Sequence, residues 1–218
     1  MIKGVIYDLD DLMVDSHHLH LKAFDALLIR YGHKYGELPE ELRAKFIGRR
    51  VIDILKEMAR YFGIEESAES LQEERSSIFL KLAGKELKAM PGLIKSLKLF
   101  RLNNFKMALA SSGVKDYISL VLDKFLIRDY FDAIVSGEDV KAGKPNPETF
   151  LLACRKLGLN PQECLVLEDA SVGVETAKNA GCRCIAVISP NTPAQNLLKA
   201  DLVLDSLNEI SIENVNSL

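Results

Sequence analysis

An open α/β fold with a parallel sheet, interrupted after its first strand by a helical insertion, is what this 218-residue sequence predicts. Three observations carry that expectation. Short apolar runs recur and each stops at a polar cluster; from about residue 91 they alternate with helical patterns; and a long interval without strand signal separates the first run from the second. Continuous apolar runs of this kind suit strands covered on both faces by crossover helices.

Taken in order, Val5-Ile6-Tyr7 forms the first strand and stops at Asp8. Leu19, Ala23, Leu27 and Tyr31 then recur at helical spacing up to Gly32, as do Val51, Ile54, Leu55, Met58 and Phe62 up to Gly63. Leu71, Ile78 and Leu82 mark a third helix ending near Gly84, and Met90-Pro91-Gly92 marks the return to the sheet. About 75 residues exceed any ordinary connection, so the predicted division is a core of residues 1–14 and 91–218 around a helical domain at 15–90. Beyond it, strands are expected at 107–110, 133–135, 165–167, 185–188 and 202–204. Helices are expected at 114–126, at 147–157 with Pro147 in the first turn, and at 171–180 before Gly181. The polar tail from Asn214 to Leu218 is expected to fray.

Hydrophobic residues make up 48% and charged residues 27%, the balance of a compact folded chain that buries roughly 70% of its unfolded surface. Lys and Arg number 28 against 31 Asp and Glu; a net charge of −3 argues against a broad nucleic-acid or anionic-membrane surface. No run reaches the roughly 18 apolar residues of a membrane span, and the first apolar stretch stops at Asp8, too soon for a signal peptide. Cys154, Cys164, Cys182 and Cys184 contain no C-x-x-C pair. They are read as reduced thiols of a cytoplasmic protein, with Cys182 and Cys184 on opposite faces of a strand. Nothing in the sequence requires more than a monomer.

In an open parallel sheet, ligands bind beyond the carboxyl ends of the strands. Asp8 and Asp10 end the first strand here, Ser111 and Ser112 the second, and Glu168 and Asp169 the fourth, while Lys144 follows the third in Gly-Lys-Pro. Singly, each has a simpler use: Asp-x-Asp as turn chemistry, Ser-Ser as a helix cap, Gly-Lys-Pro as a loop, Glu-Asp as a favourable helix start. Together they make a site. Carboxylates gathered at one place repel one another unless a cation lies between them, and oxygen ligands without a His or Cys cluster favour Mg²⁺. Asp8 can then serve as nucleophile toward a phosphoryl group whose oxygens the metal, Lys144 and Ser111 neutralise. Asp10 can protonate the departing oxygen and later deprotonate the attacking water.

Asp8-Leu9-Asp10, the strand ending in Ser111, Lys144 in Gly-Lys-Pro-Asn-Pro-Glu, and Glu168-Asp169-Ala170-Ser171-Val172-Gly173-Val174 resemble the four motifs of the haloacid dehalogenase superfamily. The likeness spans nearly the whole chain and is nearest to the β-phosphoglucomutase-like phosphatases. It implies a Rossmann-like core with a helical cap that closes over the substrate. It also implies Asp8 as nucleophile, Asp10 as acid/base with its backbone carbonyl on Mg²⁺, Asp169 as a direct metal ligand and Glu168 as a water-mediated one. Ser111, with Ser112 beside it, and Lys144 would hold the phosphoryl group. The implied activity is Mg²⁺-dependent hydrolysis of a small phosphomonoester, a sugar phosphate or nucleotide-derived metabolite, with β-phosphoglucomutase as the alternative.

Two departures from the family pattern stand out. The first motif usually continues with glycine where this chain has Asp11, one of the few residues that tolerate the left-handed region. A further carboxylate near the metal could raise the pKa of Asp10 or change metal affinity. In the cap, the mutases place an arginine a few residues after a glycine, where this chain has Val51; Arg49 and Arg50, directly after Gly48, are candidate substrate contacts instead. His20 matches a mutase histidine and is a further candidate, whereas His17, His18 and His33 are expected on the surface. A dehalogenase would lack Asp10, and a phosphonatase needs a Schiff-base lysine near Arg49, which guanidinium chemistry forbids. A receiver-type phospho-acceptor would place its aspartate on a later strand and carry no insertion, and a catalytically dead binding protein is suggested only by Asp11. Asp11→Gly is expected to keep or raise turnover; a large loss, measured as kcat on a phosphomonoester, would give Asp11 an essential role of its own.

Overall fold

The computed structural model describes all residues, 1–218. Strand β1 (Gly4–Tyr7) is followed by the short β2 (Val14–Asp15) and by helices α1 (His17–Ile29), α2 (Glu40–Ala44), α3 (Val51–Phe62) and α4 (Ala68–Glu86). Strand β3 (Lys88–Ala89) pairs antiparallel with β2, so the outgoing and returning chains lie side by side at the edge of the helical segment. Then come α5 (Leu93–Leu102), β4 (Lys106–Ala110), α6 (Lys115–Lys124), β5 (Ala133–Val135), α7 (Glu148–Leu157), β6 (Cys164–Glu168), α8 (Ser171–Ala180), β7 (Arg183–Val187), β8 (Leu202–Leu204) and α9 (Ile212–Asn216).

All six main strands run parallel in the order β5-β4-β1-β6-β7-β8. β1 is central, and its Tyr7 stands level with Leu109 of β4 and Leu167 of β6. The residues that end those three strands are thereby brought to one edge. Alternation along each strand divides the core into two layers. Val5 and Tyr7 pack with Leu97 and Phe100 of α5 and Val121 of α6 on one face, while Ile6 packs with Phe150 of α7 and Ala177 of α8 on the other.

The helical segment shares one layer with the sheet and has a core of its own. Leu19 and Ala23 of α1 and Phe79 and Ala83 of α4 join the core of the first face. Leu27 and Leu28, meanwhile, pack with Leu55 and Met58 of α3 and Leu71 of α4 away from the sheet. In α4 the buried stripe is Leu71, Arg75, Phe79 and Ala83, with Ile78 and Leu82 only half-buried. An arginine on that stripe masked its phase, since apolar periodicity cannot register a buried cation.

Two expectations are corrected and one helix is added. The polar tail does not fray: Ser211 and Asn214 cap α9 reciprocally and Val215 is buried. Cys182 and Cys184 do not oppose each other, because residues two apart in a strand share a face, and both lie in the same buried layer with Cys154 and Cys164. Helix α5 carried no expectation at all, although its Leu93, Leu97 and Phe100 stripe fills the first face.

Gly92 starts α5 with φ +88, and a Cβ there would run into the backbone of Leu207 and Asn208. Gly92→Ala combines left-handed strain with a backbone clash, and a loss of about 2 kcal/mol or more is expected in denaturant unfolding.

Candidate active site

Asp8 leaves β1 at the central position of the sheet, and Lys144 reaches it from the β5–α7 connection with Nζ 2.7 Å from Asp8 Oδ1. The same ammonium contacts Glu168 Oε1, and both partners are buried. Glu168 is held further by the backbone N–H groups of Asp169 and Ala170, each 3.0 Å from Oε2. Gly173 makes this placement possible: a Cβ there would occupy the space of the Glu168 carboxylate. Asp169 is 4% exposed, and no donor of the protein reaches its carboxylate.

Carboxylate oxygens of Asp8, Glu168 and Asp169 lie within 4.8 Å of one another. Burial pushes the Asp8 carboxyl up to about 8, with Lys144 opposing and Glu168 reinforcing the shift. Asp169 is likewise pushed well above the usual range by burial and by Glu168. For Lys144, burial disfavours the charged form, yet the Asp8 and Glu168 charges together outweigh it and raise its pKa. One ammonium against three carboxyls leaves the cluster short of positive charge, and all-oxygen donors at this spacing fit a hard divalent cation.

Asp10 behaves in the opposite way. Its Oδ1 accepts from Ser16 Oγ at 2.7 Å and Tyr117 Oη at 2.7 Å, with His20 Nε2 at 3.3 Å. Burial alone would raise its pKa, but His20 and these hydrogen bonds bring it down to about 2. The pKa of Asp10 is therefore lowered, not raised, with Asp11 beside it. Asp11 itself sits at φ +59, and its Oδ1 accepts the backbone N–H groups of Ser16 and His17 at 3.1 and 2.9 Å. The residue in the glycine position thus caps the start of α1, an interaction worth about 1 kcal/mol in such settings. Burial and the Asp10 charge push its carboxyl up to about 7.

The two serines differ in role. Ser111 is buried and its Oγ accepts the Gly113 N–H at 2.9 Å, whereas Ser112 Oγ donates to the Gly48 carbonyl at 2.9 Å and so ties the helical segment to the sheet. Arg49 is paired with Glu57 at 2.8 Å. Arg50 is paired with Asp53 through two nitrogens and donates to the Val140 carbonyl at 3.2 Å, so its guanidinium is already engaged. His20 is half-buried, and because Arg75 can only donate, its contact at 2.5 Å makes His20 Nδ1 an acceptor and leaves the proton on Nε2. His18 is exposed as expected; His17 lines the cavity with Asp8, and His33 stacks on Phe62 at 4.4 Å. Sequence reasoning missed Ser16, Arg75 and Tyr117, which lie outside every motif.

These groups face a narrow cavity lined by Asp8, Asp10, Asp169, Phe24, Arg49 and Val51. A second cavity of about 310 Å³ shares His20, Val51 and Ser112 with it and is bordered by Arg75, Gln72 and Glu138.

The sequence profile of the haloacid dehalogenase-like hydrolases matches residues 5–187. The chain belongs to that family, as a phosphatase of its β-phosphoglucomutase-like branch. It is 33% identical over 211 residues to hexitol phosphatase A of Escherichia coli, covering 96% of this chain and 94% of the relative. It is 31% identical over 207 residues to a phosphorylated carbohydrates phosphatase of Thermotoga maritima, covering 93% of each. Among solved structures, the β-phosphoglucomutase of Clostridium difficile superposes with a TM-score of 0.85 at 28% identity, covering 100% of this chain and 96% of that one. No helix is long and apolar enough to cross a membrane.

The raised pKa of Asp8 sets the sign of a stability profile. Folded Asp8 keeps its proton up to about 8, while the unfolded chain releases it near the ordinary 3.8. The folded state therefore binds more protons over that interval, and stability falls as pH rises through it. In chelator, Tm is expected to decrease from about pH 4 to about pH 8; a divalent cation that binds only the folded site raises Tm, adding about 2.7 kcal/mol of stability at 100 times its Kd.

Proposed function

We propose that this chain hydrolyses a small phosphomonoester, of sugar or polyol type or a nucleotide-derived metabolite, through an aspartyl-phosphate on Asp8. The observation that carries the reading is Lys144 bound to Asp8 inside the buried carboxyl cluster, with Asp10 on the same edge held apart by its own donors. The names of the relatives support phosphorylated carbohydrates and polyols as the substrate type.

An Asp8 carboxylate oxygen attacks phosphorus, the bond to the leaving oxygen breaks, and Asp10, which must first take up a proton, passes it to that oxygen. Water then attacks the phosphoryl group while Asp10 takes its proton, releasing inorganic phosphate and restoring Asp8. Asp8, Asp169, the Asp10 carbonyl and, through water, Glu168 would hold a Mg²⁺ ion. That ion supplies charge neutralisation for the transferring oxygens. Lys144 and the Ser111 hydroxyl add hydrogen bonds to the same oxygens. Residues 15–90 act as the cap, fastened through Ser112 to Gly48 and Arg50 to Val140, and exclude bulk water from the reacting groups. Val51 at the mutase arginine position, with Arg49 and Arg50 already paired, supports hydrolysis over the mutase reaction, which must hold a second phosphate.

Phosphate release from a panel of sugar and polyol phosphates and from p-nitrophenyl phosphate, with Mg²⁺ or chelator, tests this. Metal-dependent turnover is expected, with Asp8→Asn lower by at least about 10³-fold. Absence of metal-dependent turnover on the whole panel overturns the reading, and conversion of β-glucose 1-phosphate with a bisphosphate primer would replace it with the mutase.

A further inference from the structure

Every protein donor to the Asp10 carboxylate falls on one oxygen. Ser16 Oγ, Tyr117 Oη and His20 Nε2 all reach Oδ1, and none reaches Oδ2. Asp10 also borders the cavity that contains Asp8. Of the three donors, Ser16 and His20 stand at the start of and within α1, close to Asp10 in sequence. Tyr117 is different: it comes from α6, 107 residues away, and only 2% of it is exposed.

We propose that Tyr117 is the positioning residue of the acid/base step: its hydroxyl fixes Asp10 Oδ1 so that Oδ2 is the oxygen that gives and takes the proton. The proposal rests on the phosphatase reading above, in which Asp10 is the acid/base group. A carboxylate on a single Cβ has two soft torsions, and a hydrogen bond from a rigid, buried phenol removes most of that freedom. The tyrosine is itself well held. Its ring meets Phe79 of α4 edge-on at 4.8 Å and His20 of α1 at 6.3 Å, both nearly perpendicular. Phe79 in turn carries the Arg75 guanidinium 4.4 Å above its centroid, and Arg75 bonds His20. Tyr117 is therefore a side chain of the sheet domain seated among rings of the helical segment, and the orientation of Asp10 depends on how those helices dock.

The role has a signature that general destabilisation lacks. Protonation of the leaving oxygen matters for an alkoxide and little for p-nitrophenolate, so loss of positioning must act selectively on alkyl substrates. The measurement is kcat/KM, which reports the step that releases the alcohol, for sorbitol 6-phosphate and for p-nitrophenyl phosphate. Tyr117→Phe keeps the ring and removes the hydroxyl. In this variant kcat/KM on sorbitol 6-phosphate is expected to fall at least about 10-fold, within the 10²–10⁴ range of general acid catalysis. On p-nitrophenyl phosphate it should change less than about 3-fold. Ser16→Ala, which removes another Oδ1 donor without touching the ring, should move the ratio in the same direction and provides the test if the Phe variant does not fold. An equal loss on both substrates, no change on either, or a ratio shifted toward the alkyl ester, as a mere rise in the basicity of Asp10 would produce, overturns the role of Tyr117. Failure of the phosphatase reading is distinguishable, because wild type would then turn over neither ester, and the proposal would fall with it.

Discussion

Lys144 is the one ammonium placed among the buried carboxyl groups of Asp8, Glu168 and Asp169, and the rest of the site is arranged around that shortage of positive charge. Burial makes each ionised carboxylate costly, so protons or a cation must complete the neutralisation. The same requirement explains local features that packing alone would not select. Glu168 is held by two backbone N–H groups, and Gly173 lacks a side chain where its carboxylate lies. The cluster trades stability for a strong field at one point, which is where an anionic substrate of a weakly acidic protein needs it.

Asp10 lies two residues from Asp8 and obeys different electrostatics. Three donors converge on its Oδ1 and hold it ionised, while Asp8 and Asp169 are pushed toward the neutral form. The two pKa values are driven apart, and the proposed roles require both groups to change: a bound cation would favour the ionised form of Asp8, and Asp10 must take up a proton before it can give one. The separation is achieved by geometry: Asp8 points into the cluster with Lys144, and Asp10 turns toward Ser16, His20 and Tyr117 at the base of the helical segment. Asp11 stabilises that base by capping α1 from a left-handed backbone position.

The helical segment is joined to the sheet by polar ties as well as by packing. Ser112 to Gly48 and Arg50 to Val140 cross between them, and Tyr117 packs against Phe79 of the helical segment. Arg49 and Arg50, read from the sequence as candidates for substrate contact, spend their charge on Glu57 and Asp53. An arginine's partners are a property of the folded neighbourhood, so adjacency to Gly48 said little about its use.

Much of the fold was legible because apolar runs and helix stops report local burial directly: the helices Val51–Phe62 and Ser171–Ala180 end in the structure just before the glycines that marked their stops. The phase of α4 was not legible, since its buried face includes Arg75, and α9 was not, since a polar capping pair holds it. The sequence by itself determined the parallel sheet, the helical insertion and the motif residues at the strand ends, because apolar runs and polar strand termini are written locally. Only the tertiary structure decided that Ser16, His20 and Tyr117 share one oxygen of Asp10 and that Arg49 and Arg50 are already paired. Those facts depend on side chains as far apart in the chain as Asp10 and Tyr117 being held at hydrogen-bonding distance by packing, and no local pattern encodes such a distance.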